Sequence, residues 1–113
     1  MSLTGTQWTL EEIGGKPVIP DSKATLSFPE AGKAAGNGSC NRIMGSVELS
    51  GETIKFGALA GTKMMCDPAQ SDQETAYLRA LEGAQKFAVK DDTLLIYTAG
   101  SAGPLRFRRA PKS

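Results

Sequence analysis

Hydrophobic and polar residues alternate along most of this chain with the period of two that marks half-buried strands. In QWTLEEIGGKPV, Trp8, Leu10 and Glu12 alternate with Gln7, Thr9 and Glu11. Gly14 and Gly15 then end the run, which predicts a strand followed by a turn. KATLSFPE puts Ala24, Leu26 and Phe28 on one face, and Pro29 stops the ladder. KAAGNGSCN is short and small-sided and carries no apolar period. RIMGSVELSGETIKF gives two alternating runs joined at Ser50 and Gly51, a hairpin in which Val47 and Leu49 face Ile54 and Phe56.

After Gly57 the period breaks down. ALAGTKMMCDP reads as an irregular connection with a short strand near residues 62–65, closed by Pro68. Ser71, Asp72, Gln73 and Glu74 fit a capping box, in which Ser71 caps the first turn and Glu74 reaches back to the cap amide. The helix so begun runs to about Glu82, with Tyr77, Leu78 and Leu81 on its apolar face, Ala84 continuing it, and Gly83 as a left-handed cap. Strands return in KFAVK, with Phe87 and Val89 inward, in DDTLLIYTA, which is apolar on both faces, and in LRFRR. Seven or eight short strands and one helix predict a mainly β (α+β) fold, a strongly curved antiparallel sheet or small barrel with the helix across an end or a face.

A chain of 113 residues fits one domain spanning 1–113, with residues 1–3 expected as an appended or disordered start. Thirteen basic and twelve acidic side chains leave a net charge of +1, so no strong field points to nucleic acid. In RFRRAPKS, Arg106 and Arg108 alternate with Leu105 and Phe107, the pattern of an edge strand's solvated face. No apolar run approaches the ~20 residues of a membrane helix. Met1 to Ile13 carries no secretory signal pattern.

The chain has no histidine. Cys–His dyads and Ser–His–Asp triads are therefore excluded, since each needs an imidazole as base. Zinc would have only Cys40, Cys66 and carboxylates, without a CxxC pair, so no metal site is expected. No motif singles out a Ser–Lys pair. In GNGSCNRIMG the glycines Gly36, Gly38 and Gly45 are not followed by a P-loop lysine, and turn or close-packing roles fit them better than phosphate binding. Asn41 reads as a residue bonding nearby backbone, with a polar ligand contact by Asn41 and Arg42 as the alternative, and Trp8 as core or barrel-end packing, with a ligand platform as the alternative. No catalytic residue, cofactor or metal is expected.

Several spaced residues resemble the META domain family, also called HslJ-like: Trp8-Thr9-Leu10, then Cys40-Asn41-Arg42 with Gly45, Ile54 to Gly57, and Thr62-Lys63-Met64-Met65-Cys66. Glu74, Tyr77 to Leu81, Leu94 to Tyr97 and Leu105 to Phe107 extend the match over nearly the whole chain. Ser39 and Met65 depart from the glycine and alanine common at those places. The resemblance implies a barrel of lipocalin-type topology and a bacterial envelope setting, periplasmic or outer-membrane associated, with links to heat stress, novobiocin-type resistance, motility and virulence. It implies no defined catalytic residues. In an oxidising envelope, Cys40 and Cys66 would favour a disulfide; two buried thiols are the alternative. The functional expectation is a monomeric, non-catalytic module that binds an envelope protein. The alternative is a small-molecule or lipid binder using the barrel interior.

Overall fold

The computed structural model describes residues 3–19, 24–38, 41–61, 66–99 and 103–110. Its strands are β1 (Gln7–Ile13), β2 (Lys16–Pro17), β3 (Thr25–Ser27), β4 (Lys33–Asn37), β5 (Arg42–Ser50), β6 (Thr53–Phe56) and β7 (Ala60–Gly61), followed after the helix α1 (Pro68–Glu82) by β8 (Ala84–Lys90), β9 (Thr93–Thr98) and β10 (Leu105–Arg109). The antiparallel order β10-β9-β8-β6-β5-β4-β3-β1 closes because β10 also pairs with β1, giving an eight-stranded barrel. Closure removes the exposed edges that an open sheet must protect. The small strands β2 and β7 pair with β1 and β5 outside this ring.

The alternating positions point where their period says. Trp8 and Leu10, then Ala24, Leu26 and Phe28, are each 2% exposed or less. In the β5–β6 hairpin Val47 pairs with Phe56 and Leu49 with Ile54. Gly14, Gly15 and Gly51 all have positive φ and make the expected turns. From α1, Tyr77 and Leu81 enter the same core at 0% exposure. Tyr77 lies 6.1 Å from the Phe107 ring at a tilt of 55°, a favourable aromatic arrangement. Each fully buried large apolar side chain contributes roughly 2–3 kcal/mol.

Several expectations are corrected. The first strand carries a bulge between Leu10 and Glu12, so Glu12 leaves the Trp8 face. Both Glu11 and Glu12 instead approach Arg106 at 3.8 Å, and Glu11 approaches Arg108 at 3.6 Å. Arg106 and Arg108 do line a solvated face, but β10 is no edge, because it lies between β9 and β1. TLLIY is covered on one side only: Leu94 and Ile96 are buried, Leu95 is half-buried and Tyr97 is 43% exposed. Leu3 is 1% exposed and its carbonyl accepts from Thr6 Oγ1, so it is part of the core rather than a loose start. KAAGN, which has no apolar period, is strand β4. The strand expected at residues 62–65 lies outside the described residues.

The helix starts earlier than the capping box implies. Asp67 is the N-cap without a side-chain cap bond, Pro68 takes the first turn, and the Ser71 N–H donates to the Asp67 carbonyl. Proline's fixed φ and missing donor suit that position. Glu74 is thereby a mid-helix residue rather than part of the first turn. At the other end Gly83 has φ −93, so it is not a left-handed cap. Its N–H reaches back to the Arg79 carbonyl, and Ala84 begins β8 rather than extending the helix face.

Candidate functional site: the clasp between the β4–β5 loop and the helix

Asn37 and Arg42 form the last pair of the β4–β5 ladder. Beyond them the Gly38 N–H donates to the Asn41 carbonyl at 2.8 Å, which closes the connection. From α1 the Glu74 carboxylate meets this loop with both oxygens: Oε1 accepts the Asn41 main-chain N–H at 2.6 Å and Oε2 accepts Asn41 Nδ2 at 2.9 Å. A charged acceptor with two donors in a fork is a strong, directional clasp. Gly38 is required beneath it, since a Cβ there would lie 2.7 Å from Glu74 Cγ.

Two further polar links hold the same helix. The Ile19 N–H donates to Gln73 Oε1 at 2.8 Å, and the Tyr77 hydroxyl donates to the Thr25 carbonyl at 3.0 Å. Burial pushes the Tyr77 hydroxyl well above its ordinary value, because a phenolate would be desolvated there. Cys66, one residue before the N-cap, is disulfide-bonded. Cys40 lies outside the described residues, as does Thr62.

The structure thus brings Asn41 and Glu74 together, with Arg42 next to them at the start of β5 and Gly45 further along that strand. Asn41 bonds a helix side chain as well as loop backbone. Arg42 faces outward. Gly45 sits at mid-β5, where a Cβ would come within 2.8 Å of the Ala58 carbonyl and of Leu59. Glu74 was hidden from sequence reading because it completes a capping pattern; Asp67-Pro68 is the competing start signal that reveals its true place. Among the described residues no three Cys, Asp or Glu side chains converge as a metal site, and no buried side-chain polar atom is left without a partner.

Hollows open at the surface of the described residues. One, of about 400 Å³, lies over β3, β4 and β5 and is bordered by Thr25, Ala35, Asn37, Arg42 and Met44. Another, of about 650 Å³, follows the β6–β8 seam beside Ile54, Lys55, Gly83, Ala84 and Lys86. That seam carries a single ladder pair, Thr53 with Lys86. Met44 is 60% exposed. No helix among the described residues is long and apolar enough to cross a membrane.

A closed antiparallel barrel of eight strands with one helix clasped to a strand-connecting loop defines the class of protein. The META domain family model matches residues 1–112, and the chain belongs to that family. It is 35% identical over 82 residues to the heat shock protein HslJ of Escherichia coli strain K12. That match takes in 70% of this chain and 58% of the relative, so the chain spans less than two thirds of that protein's length. Among solved structures, an NMR structure of a protein from Burkholderia xenovorans aligns with TM-score 0.81 at 27% identity, covering 97% of this chain and 85% of that one. A second NMR structure aligns at 0.74 and 30% identity, covering 94% and 90%. A DUF4847 family protein from Bacteroides vulgatus shares the fold alone, at TM-score 0.72 and 15% identity over 98% and 96%.

Proposed function

We propose that this chain is a non-catalytic module of the bacterial cell envelope, monomeric by itself, that works by binding a protein partner through the outer surface of its barrel. The observation that carries this reading is the packed interior. Trp8, Leu26, Tyr77, Leu94, Ile96 and Phe107 come from four strands and the helix, and each is 1% exposed or less. A ligand of the ~300 Å³ that small-molecule sites hold would have to displace them, whereas the hollow of about 400 Å³ is bordered by the exposed side chains of Arg42 and Met44.

The absence of histidine supports a non-catalytic role, as does the engagement of the Tyr77 hydroxyl and the Glu74 carboxylate in structural bonds. The disulfide at Cys66 supports an oxidising compartment such as the periplasm. We assign its partner as Cys40, the chain's one other cysteine.

Methyl-resolved NMR titration with fatty acids and phospholipid micelles tests the interior. The Leu26, Leu94 and Ile96 methyls should stay unmoved, and saturable shifts of all three would make the protein a ligand binder instead. In cells, photo-crosslinking side chains placed at Met44 and Lys55 should each be scanned for one discrete protein adduct. Absence of adducts around the whole outer wall would remove the interaction module.

A further inference from the structure

We propose that Asn37 is a latent modification site: its amide is preserved while α1 is clasped to the β4–β5 loop, and it converts to aspartate and isoaspartate when that clasp opens. Asn37 is followed by Gly38. In an Asn–Gly pair the glycine's main-chain nitrogen can attack the asparagine Cγ. A C–N bond forms, the side-chain amide leaves as ammonia, and a five-membered succinimide results. Water then opens the ring at either carbonyl, giving aspartate or isoaspartate with a net gain of about one mass unit. Water is the only co-reactant. Glycine is the residue that resists this least, because no Cβ obstructs ring closure.

In the folded chain three restraints act on those atoms. The attacking nitrogen is engaged: the Gly38 N–H donates to the Asn41 carbonyl at 2.8 Å. Gly38 is buried, and Glu74 Cγ occupies the space where a Cβ would stand, 2.7 Å away. Asn37 is held extended in the ladder, paired with both Thr25 and Arg42, and its own N–H donates to Thr25 Oγ1 at 3.1 Å. Ring closure needs the Gly38 nitrogen to swing toward the side-chain carbonyl, which the extended ladder slows and which the release of Gly38 beyond the last ladder pair makes accessible.

The first two restraints depend on Glu74. It holds Asn41 by two bonds, and Asn41 supplies the carbonyl that engages Gly38. Lifting α1 therefore releases the nucleophile and uncovers it in one event. Isoaspartate would add a main-chain methylene at the last β4–β5 pair and displace the register with Thr25, so the loop could not return to its original geometry. Conversion at Asn37 thus accumulates irreversibly with the time the clasp spends open.

The test is peptide mapping by mass spectrometry of protein incubated at mildly alkaline pH. Native wild type should convert at Asn37 at least about tenfold more slowly than the chain in denaturant, since reaction follows the population of the open form. Glu74→Gln should convert about tenfold faster than wild type under native conditions. An Ile96→Val or Ile96→Ala variant, chosen to match the melting temperature of Glu74→Gln, keeps the clasp and should stay near the wild-type rate. Amide exchange at Gly38 should accelerate in Glu74→Gln and not in the matched variant. If Glu74→Gln does not fold, Glu74→Asp takes its place, its shorter carboxylate reaching Asn41 less well. Equal conversion in the clasp variant and the matched core variant would overturn the proposal, as would conversion of native wild type at the denatured rate.

Discussion

Replacing Glu74 by alanine removes the acceptor from two donors of one buried residue. Asn41 is 8% exposed, and its main-chain N–H and side-chain amide meet Glu74 at 2.6 and 2.9 Å. Hydrogen bonds to a charged group contribute about 1.5–3 kcal/mol each. Glu74 is half-buried, so water can approach once the carboxylate is gone, and a net loss of about 2–4 kcal/mol remains of the gross sum. For 113 residues the entropy of melting is roughly 0.24 kcal/mol per kelvin, so the midpoint should fall by about 8–17 °C. Glu74→Gln keeps one acceptor oxygen but turns an amide donor toward an Asn41 donor, and should cost about 1–2 kcal/mol. Asn41→Ala removes one bond and leaves the main-chain one. A double-mutant cycle between Glu74→Ala and Asn41→Ala should then return a coupling of about 1 kcal/mol. Calorimetry and urea unfolding measure all three. A loss below about 0.5 kcal/mol for Glu74→Ala, the range of ordinary surface substitutions, would refute the clasp as a stabilising contact.

Tyr77 sets an alkaline limit. Its folded hydroxyl is pushed up by burial, so its contribution is fully present below the unfolded value of about 10 and is lost as pH rises above it, with a slope approaching about 1.4 kcal/mol per pH unit; the stability gap between wild type and Tyr77→Phe should shift by about 1 kcal/mol against wild type between pH ~10 and ~11. Gly36→Ala would put a Cβ 2.2 Å from the Thr25 carbonyl oxygen, main chain that cannot yield, and should cost about 3 kcal/mol. Gly51→Ala meets open space with φ +59 and should cost only about 1 kcal/mol; urea midpoints in the reverse order would refute the close approach. Arg109 stands 4.7 Å over the Trp8 ring and 3.4 Å from Asp92, which is 80% exposed, so Arg109→Met should lose about 0.5–1 kcal/mol through the ring while Asp92→Ala loses almost nothing. Reduction should lower the stability of wild type by about 3.5 kcal/mol, the chain-entropy value for a closed loop of about 27 residues, and should leave Cys66→Ala unchanged.

Facing was legible in the sequence wherever a strand had large residues on one side. Val47 and Leu49 against Ile54 and Phe56 fix both the hairpin and its register, because a slip of one residue would expose the buried Val47, Ile54 and Phe56, although Leu49 itself stays 36% exposed. The strand β4 was not legible. Its residues, Lys33 to Asn37, include two alanines and a glycine, and what makes them a strand is the approach of β3 and β5 on either side. Closure was not legible either. Arg106 and Arg108 look like the charges that guard a free edge, and only the meeting of β10 with β1 gives them Glu11 and Glu12 as partners. At the helix two start signals competed, and Pro68 prevailed because proline fits the first turn whatever follows. That choice moved Glu74 from a capping role to the clasp.

The three glycines of GNGSCNRIMG show what kind of site this loop is. Gly36 admits the Thr25 main chain, Gly38 admits the Glu74 side chain, and Gly45 admits the Ala58 carbonyl and Leu59. Each absence of a Cβ is thus used by a different neighbour from within the protein. An anion cradle needs main-chain N–H groups turned toward a common open point, yet the Gly38 N–H is directed to the Asn41 carbonyl. Gly38 and Asn41 thus join the sheet to the helix just before the next strand begins. That strand is β5, whose outward side chains Arg42 and Met44 border the hollow over β3 and β4. An exposed methionine on a firmly anchored strand offers a deformable apolar contact without a cost in ordering backbone. On the function proposed above, a protein partner is recognised on the outer face of β4 and β5, beside the clasp.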